Sequence, residues 1–194
     1  MPELKVFACL ALIMPVIFAG MWILSATIDG NWTFGVNSLS DMGISENEMS
    51  AFLFNYGCFV SGLAGFFVGI GTFVYGKRTL RIGGLIAAVG FIFLLLVGIF
   101  TLNTFHMHKF VATTFGELVF ISVVVSSVSD FKVSWYLYFD ILLIIGMVAA
   151  VKTQPFAVWE AITVIGTMIW NLMLGYKMHV HDDRLFRNEP KFGL

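Results

Sequence analysis

The chain has 194 residues, of which 59% are hydrophobic and only 12% are charged, and its mean hydropathy is +0.91. That charged share is about half of what a soluble globular domain carries, so a soluble enzyme, a disordered chain and a disulfide scaffold all fit the composition poorly. The net charge of −1 provides no basic field, and we expect no nucleic-acid partner.

Long uncharged runs divide the chain into six segments that reach or approach the roughly 20 residues needed to cross a hydrocarbon core. Two of these runs are interrupted once, by Glu117 and by Asp140, and the last one reaches that length if Pro155 opens its helix. The predicted helices cover residues 5–27, 49–75, 82–102, 107–128, 134–151 and 155–177. The pattern predicts an all-α fold, an integral membrane bundle of six transmembrane helices over residues 1–178, with a short cytoplasmic tail over 179–194.

Basic residues are distributed unevenly between the two sets of alternate loops. One set collects nine lysines and arginines, whereas the other has only Lys109 and Lys152. Because loops rich in lysine and arginine stay in the cytoplasm, we expect a multi-pass protein of the cell membrane with both termini cytoplasmic.

Small residues recur at every fourth position of the second predicted helix, at Gly57, Ser61, Gly65 and Gly69. Such a smooth ridge lets helix backbones approach each other closely within a membrane. Two interpretations stay open: the ridge packs against the third helix of the same chain, or it forms the seam of a homo-oligomer.

Two carboxyl residues, Glu117 and Asp140, are expected inside the bilayer, where an unpaired charge costs at least about 2.5 kcal/mol. Counted along their helices, the two carboxyls come to a similar depth. If the helices touch, the pair would share a proton and act as a proton relay or an acid/base pair. The alternative is two protonated carboxyls that are hydrogen-bonded to neighbouring polar side chains.

A second group of polar residues is expected at the non-cytoplasmic end, where a long acidic loop over residues 28–48 faces the start of the fourth helix. His106 and His108 precede or open that helix, and the loop carries Ser40 and Asp41. Positions i and i+2 of a helix point apart, so one histidine with Asp41 would bind a divalent metal such as zinc, or form an acid/base couple with Ser40. An activated water there would suit the hydrolysis of lipid esters or amides. The alternative is a histidine that caps the helix or hydrogen-bonds the loop.

Three segments carry a resemblance to a known family: NSLSDMG (37–43), AFLFNYGCFVSG (51–62) and GIFTLNTFHMHKFVATTF (98–115). They resemble an archaeal and bacterial six-span membrane family of unknown function that is related to the eukaryotic FRAG/DRAM/Sfk group. The resemblance implies a six-helix bundle with cytoplasmic termini. It also implies a candidate site at the positions that match the family, which are Ser40, Asp41, Gly43, Asn55 and His108. His106 is an alternative match to the family histidine in place of His108.

The eukaryotic relatives are linked to lipid-anchor remodelling, lipid organisation and the regulation of autophagy, so the resemblance implies a role connected with lipids without defining a reaction. One hypothesis is a membrane-embedded lipid hydrolase or acyl-remodelling enzyme in which His108 is the base or metal ligand, Asp41 orients it and Ser40 is a hydrogen-bond donor or nucleophile. Glu117 is a further candidate catalytic residue. A second hypothesis is a small proton-coupled transporter that uses Glu117 and Asp140, and a third is a non-catalytic membrane organiser. We favour a protein whose partners are membrane lipids.

Overall fold

The computed structural model describes residues 2–132 and 134–187. Its long helices are α1 (Pro2–Asp29), α2 (Glu48–Tyr75), α3 (Arg78–Ile99), α4 (Phe105–Ser127), α5 (Ser134–Thr153) and α6 (Phe156–His179). Short 3-10 helices are η1 (Leu39–Ile44), η2 (Leu102–Thr104) and η3 (Val128–Lys132). In these described ranges no element is a strand, and six helical segments are long and apolar enough to cross a membrane. The predicted all-α bundle of six membrane-spanning helices is therefore confirmed.

The six helices form a closed ring. Each helix packs against the next one in the chain, and α6 closes the ring against α1. We call the inner end the one that holds the start of α1, the α2–α3 turn, η3 and the end of α6. The outer end holds the long loop after α1, η2 and the α5–α6 connection. Contacts at each end agree with this alternation: the rings of Phe7 and Tyr75 lie 6.2 Å apart at the inner end, and the Ser25 and Ser50 hydroxyls lie 3.0 Å apart at the outer end.

The ridge of small residues in α2 is buried inside the chain. Gly57 faces the side chain of Met21 in α1, and Ser61 is fully buried. A Cβ atom on Gly69 would lie 2.5 Å from the backbone nitrogen of Ala88 in α3, so glycine is needed for the two backbones to approach this closely. Within the chain, the ridge is thus covered by α1 and α3.

The long outer loop folds back into the bundle through η1. Met42 of η1 is fully buried. The Trp32 indole N–H donates to the carbonyl oxygen of Ser38 at 2.8 Å, and the Asn55 amide donates to the carbonyl oxygen of Gly43 at 2.9 Å. The first bond holds the loop to itself and the second fixes it against α2, and both satisfy backbone carbonyl groups that packing removes from water.

The segment after α6 is packed against the inner end. Leu185 and Phe186 are buried, and the backbone N–H of Lys77 donates to the carbonyl oxygen of Leu185 at 2.8 Å. These two apolar residues anchor the first half of the tail that is predicted over residues 179–194. Residues 188–194 of the predicted tail lie outside the described residues.

Candidate functional site

Three charged side chains meet inside the inner end of the bundle. Asp130 comes from η3, Asp140 from the second turn of α5 and Lys177 from the last turn of α6. The ammonium nitrogen of Lys177 lies 2.6 Å from Oδ2 of Asp130 and 3.5 Å from Oδ2 of Asp140. The side chains of both aspartates are 0% exposed, and that of Lys177 is 3% exposed. We call this cluster the inner triad, and it is shielded from the surroundings on all sides.

An aromatic ring completes the surroundings of the ammonium group. The Tyr136 ring centroid lies 4.8 Å from Nζ of Lys177, within the range of a cation–π contact. Tyr136 precedes Asp140 by four residues on α5, so both side chains project from one face of that helix towards α6. The α5 helix therefore supplies a carboxyl and a ring to the same ammonium.

The inner triad holds two carboxyl groups for one ammonium. Within the described chain, Oδ1 of Asp130 and both carboxyl oxygens of Asp140 have no hydrogen-bond partner. Two ionised carboxylates beside one Lys177 would leave a buried negative charge uncompensated, at a cost of several kcal/mol. A single proton on one of the two carboxyls removes that charge. The geometry is thus suited to a site that holds one exchangeable proton.

A small, mostly apolar cavity lies deeper in the bundle, about 9 Å from the inner triad along α6. Its volume is about 30 Å³, and its lining includes Ser61, Thr167 and Asn171. The hydroxyl oxygen of Ser61 and the amide oxygen of Asn171 are buried and accept no hydrogen bond from any described residue.

Polar side chains continue along α6 to its outer end. Glu160, Thr167, Asn171 and Lys177 are buried or half-buried, so all four face the bundle rather than its surroundings. The distance from Glu160 to Lys177 along the helix is about 25 Å. At the outer end, Oε2 of Glu160 accepts a hydrogen bond of 2.7 Å from the backbone N–H of Leu39 in η1. The α6 helix therefore carries titratable or polar groups across most of the bundle interior.

Ser40 and Asp41 stabilise the start of η1. Oδ2 of Asp41 accepts a hydrogen bond of 2.7 Å from the backbone N–H of Ser38. Ser40 is buried, and its hydroxyl lies 3.3 Å from that of Ser38. Both side chains thus hold the local turn together, which is the role expected of residues at the start of a helix.

His108 secures the connection between α3 and α4. It is buried, and its Nδ1 donates a hydrogen bond of 2.7 Å to the carbonyl oxygen of Phe100. His106 is exposed, and its ring lies edge-on to Phe105 at 5.5 Å. In the described ranges, no three His, Cys, Asp or Glu residues are close enough to hold a metal ion. Nδ1 of His108 is engaged with the backbone of the preceding connection, whereas the exposed His106 contacts a neighbouring ring.

Glu117 does not reach Asp140. The Glu117 side chain is exposed on the surface of α4, whereas Asp140 is fully buried beside Lys177. A carboxyl on the bundle surface cannot share a proton directly with one enclosed in the interior. The expected pairing of Glu117 with Asp140 is replaced by a pairing of Asp140 with Asp130 and Lys177.

The spacing of Lys177 from two apolar residues of α6 indicates that it is buried, which a count of loop charges does not take into account. Lys177 was counted as an interfacial charge, because basic residues near helix ends usually extend into water. It follows Trp170 and Leu174 at spacings of seven and three residues, however, and both of these are fully buried. That periodicity places Lys177 on the buried face of α6. Asp130 had no comparable signal, because it lies in a short connection.

A closed ring of six apolar helices around a buried ionic cluster defines a polytopic membrane protein. The chain belongs to the family described as Protein of unknown function (DUF998), whose model matches residues 12–177. The match begins within α1 and ends at Lys177, so it includes parts of all six helices. The expected membership in a family of unknown function is therefore confirmed. No curated protein matches the chain, and no solved structure matches it.

Proposed function

We propose that this chain is a small proton-translocating membrane protein in which the inner triad takes up and releases the proton. The observation that carries the proposal is the excess of carboxyl over ammonium groups, with Asp130 and Asp140 both within 3.5 Å of Lys177. A structural ion pair needs only one carboxyl, and burying a second one adds a desolvation cost without a second cation. The second carboxyl gives the cluster a group that changes its protonation while the ion pair beside it stays intact.

The two distances assign different roles to the two carboxyls. Asp130 is the close partner of Lys177, with its Oδ2 at 2.6 Å from the ammonium nitrogen, and this pair stays in place throughout. Asp140, at 3.5 Å and without a hydrogen bond from the described residues, accepts the proton. It later gives that proton up to water, and the Asp140 carboxylate is regenerated. Glu160 is the next titratable group on α6 towards the outer end.

Proton flux into liposomes tests the proposal. The purified protein is reconstituted with a pH-sensitive dye inside, and a potassium diffusion potential set by valinomycin drives protons inward. We expect Asp140→Asn to reduce the flux by about a hundredfold, the effect of removing a proton-transfer group. Glu117→Gln is the matched control, since it removes a carboxyl from the same bundle on its exposed surface, and it should retain the wild-type rate. Equal flux in wild-type and Asp140→Asn liposomes would refute the assignment.

Remodelling of lipid at the outer end is the second candidate function. The observation that favours it is that η1 packs against η2, which leads directly into α4. The loop with Ser40 and Asp41 therefore lies at the same end as His108. Turnover of a panel of lipid esters and amides should disappear in His108→Ala and persist in His106→Ala. Retention of turnover in His108→Ala would exclude His108 as the base.

The same candidate includes the relation of this family to the FRAG/DRAM/Sfk group and the assignment of membrane lipids as partners. Both are supported by the three sequence segments that carry the resemblance. A lipid that copurifies with the protein and is retained through detergent exchange would support the partner assignment.

We also propose that the protein lies in the cell membrane with its inner end in the cytoplasm. Without Lys177, which the inner triad buries, seven basic residues of the described chain at the inner end still oppose two at the outer end. Labelling of whole cells with a membrane-impermeant maleimide tests this orientation, in a background without Cys9 and Cys58. A cysteine replacing Lys152 should be labelled and one replacing Asp183 should not, and the reverse pattern would invert the topology.

A further inference from the structure

A second cavity, separate from the inner triad, opens at the inner end between η3 and the start of α3. Its volume is about 170 Å³, and three basic side chains line it: Lys77, Arg78 and Arg184. This volume is roughly six times that of a water molecule in the liquid, so it accommodates a phosphate group and excludes a large organic ligand. A concentration of positive charge at the membrane surface is the usual feature of sites for anionic head groups.

The charge of the cavity is only partly compensated. Arg184 pairs with Asp182 at 2.6 Å. The ammonium of Lys77, in contrast, donates to the backbone carbonyl of Asp183, which is neutral. Neither Lys77 nor the exposed Arg78 forms an ion pair with a carboxylate of the described chain. Two positive charges therefore remain for an anion.

Hydroxyl groups form the inner wall of the same cavity. The Thr79 and Ser129 hydroxyl oxygens lie 2.7 Å apart, and the Ser129 oxygen also accepts a hydrogen bond of 2.7 Å from the backbone N–H of Leu80. These bonds hold η3 against the first turn of α3, so the wall has a defined shape. The first N–H groups of α3 add to the positive potential, since a helix has no internal acceptor for them.

The rim of the cavity is apolar on one side. Val128 is 48% exposed and Phe131 is 68% exposed, and both line the opening. An inorganic anion gains nothing from such a rim, whereas the acyl chains of a lipid would cover it. We propose that this cavity binds the phosphate group of an anionic phospholipid of the adjacent leaflet, with its acyl chains along Val128 and Phe131. The proposal does not depend on proton translocation.

Lipid binding to the purified full-length protein tests the inference. The protein in neutral detergent is titrated with phosphatidylglycerol, phosphatidylcholine or inorganic phosphate, and bound lipid is counted by native mass spectrometry. We expect phosphatidylglycerol to bind preferentially. Arg78→Gln should weaken this binding about fivefold, the effect of one basic residue at a membrane surface. Lys5→Gln is the matched control, because it removes the same charge from an exposed site at the same end, and it should bind as the wild type does.

Three results would overturn the proposal. They are equal binding of phosphatidylcholine and phosphatidylglycerol, undiminished binding in Arg78→Gln, and full competition by inorganic phosphate at the concentration of the lipid. The last result would assign the cavity to a free anion. Arg78→Lys keeps the charge and should therefore bind phosphatidylglycerol more tightly than Arg78→Gln does. If Arg78→Gln fails to fold, Lys77→Gln tests the same cavity through its other uncompensated charge. Loss of the preference for phosphatidylglycerol in Lys77→Gln would support the site, and an unchanged preference would refute it.

Discussion

The charge count of the inner triad predicts opposite effects for two substitutions that look equally severe. Lys177→Met leaves Asp130 and Asp140 facing each other in the interior with no cation. Breaking a buried ion pair by removing one partner costs about 3–5 kcal/mol. Lys177 belongs to such a pair, because its side chain is 3% exposed and its ammonium nitrogen lies 2.6 Å from Asp130. Asp140→Asn removes the excess negative charge instead and leaves one complete ion pair. We expect it to be neutral, or to stabilise the protein by about 1 kcal/mol.

Thermal unfolding in detergent measures both effects. For a chain of this size 1 kcal/mol corresponds to about 2–4 °C in Tm, so Lys177→Met should lower Tm by about 10 °C, whereas Asp140→Asn should stay at or slightly above the wild-type value. The difference in Tm between Lys177→Met and the wild type should become smaller at acid pH, because protonation neutralises the two carboxyls that have lost their cation. A Lys177→Met variant with wild-type Tm would refute the reasoning. So would an Asp140→Asn variant as unstable as Lys177→Met.

Three further predictions concern the packing and the inner end. Gly69→Leu should abolish the folded protein in size-exclusion profiles, because its Cβ would press on the backbone of α3, whereas Gly146→Ala has no atom within 4 Å of the added Cβ and should behave as the wild type. Phe186→Ala should cost about 3–5 kcal/mol in unfolding titrations, since the ring is 0% exposed; an unchanged midpoint would mean that the segment after α6 is detached in solution. The hydrogen bond from Arg184 holds the pKa of Asp182 below its usual value, so Asp182→Asn should unfold slightly earlier than the wild type at neutral pH. That difference should fade as the pH falls through the pKa of the folded carboxyl, and a difference that grows on acidification would contradict the assigned cause.

The fold could be read from the sequence because a membrane imposes a simple rule on it. Apolar runs of about 20 residues must form helices, because a helix pairs its own backbone N–H and C=O groups whatever its neighbours are. The candidate site depended instead on which helices touch, and the sequence carries little information about that. Asp140 was recognised as an unusual residue in an apolar run, but its partners Asp130 and Lys177 lie near helix ends, where charges are ordinary. His108 was recognised too, although its role depends on one carbonyl oxygen of the preceding connection, at Phe100.

The anchoring of Phe186 next to the α2–α3 turn has a consequence for biosynthesis. The backbone bridge between Gly76 and Phe186 joins positions about 110 residues apart. At 5–20 residues per second, the ribosome needs roughly 6–22 s to make the intervening chain. During that interval the backbone N–H of Lys77 and the carbonyl oxygen of Tyr75 lack the partners that Leu185 and Arg187 supply. Closure of the inner end is therefore among the last steps of assembly. A ribosome-bound chain that stops before Leu185 should be more accessible to proteases at this turn than the released protein.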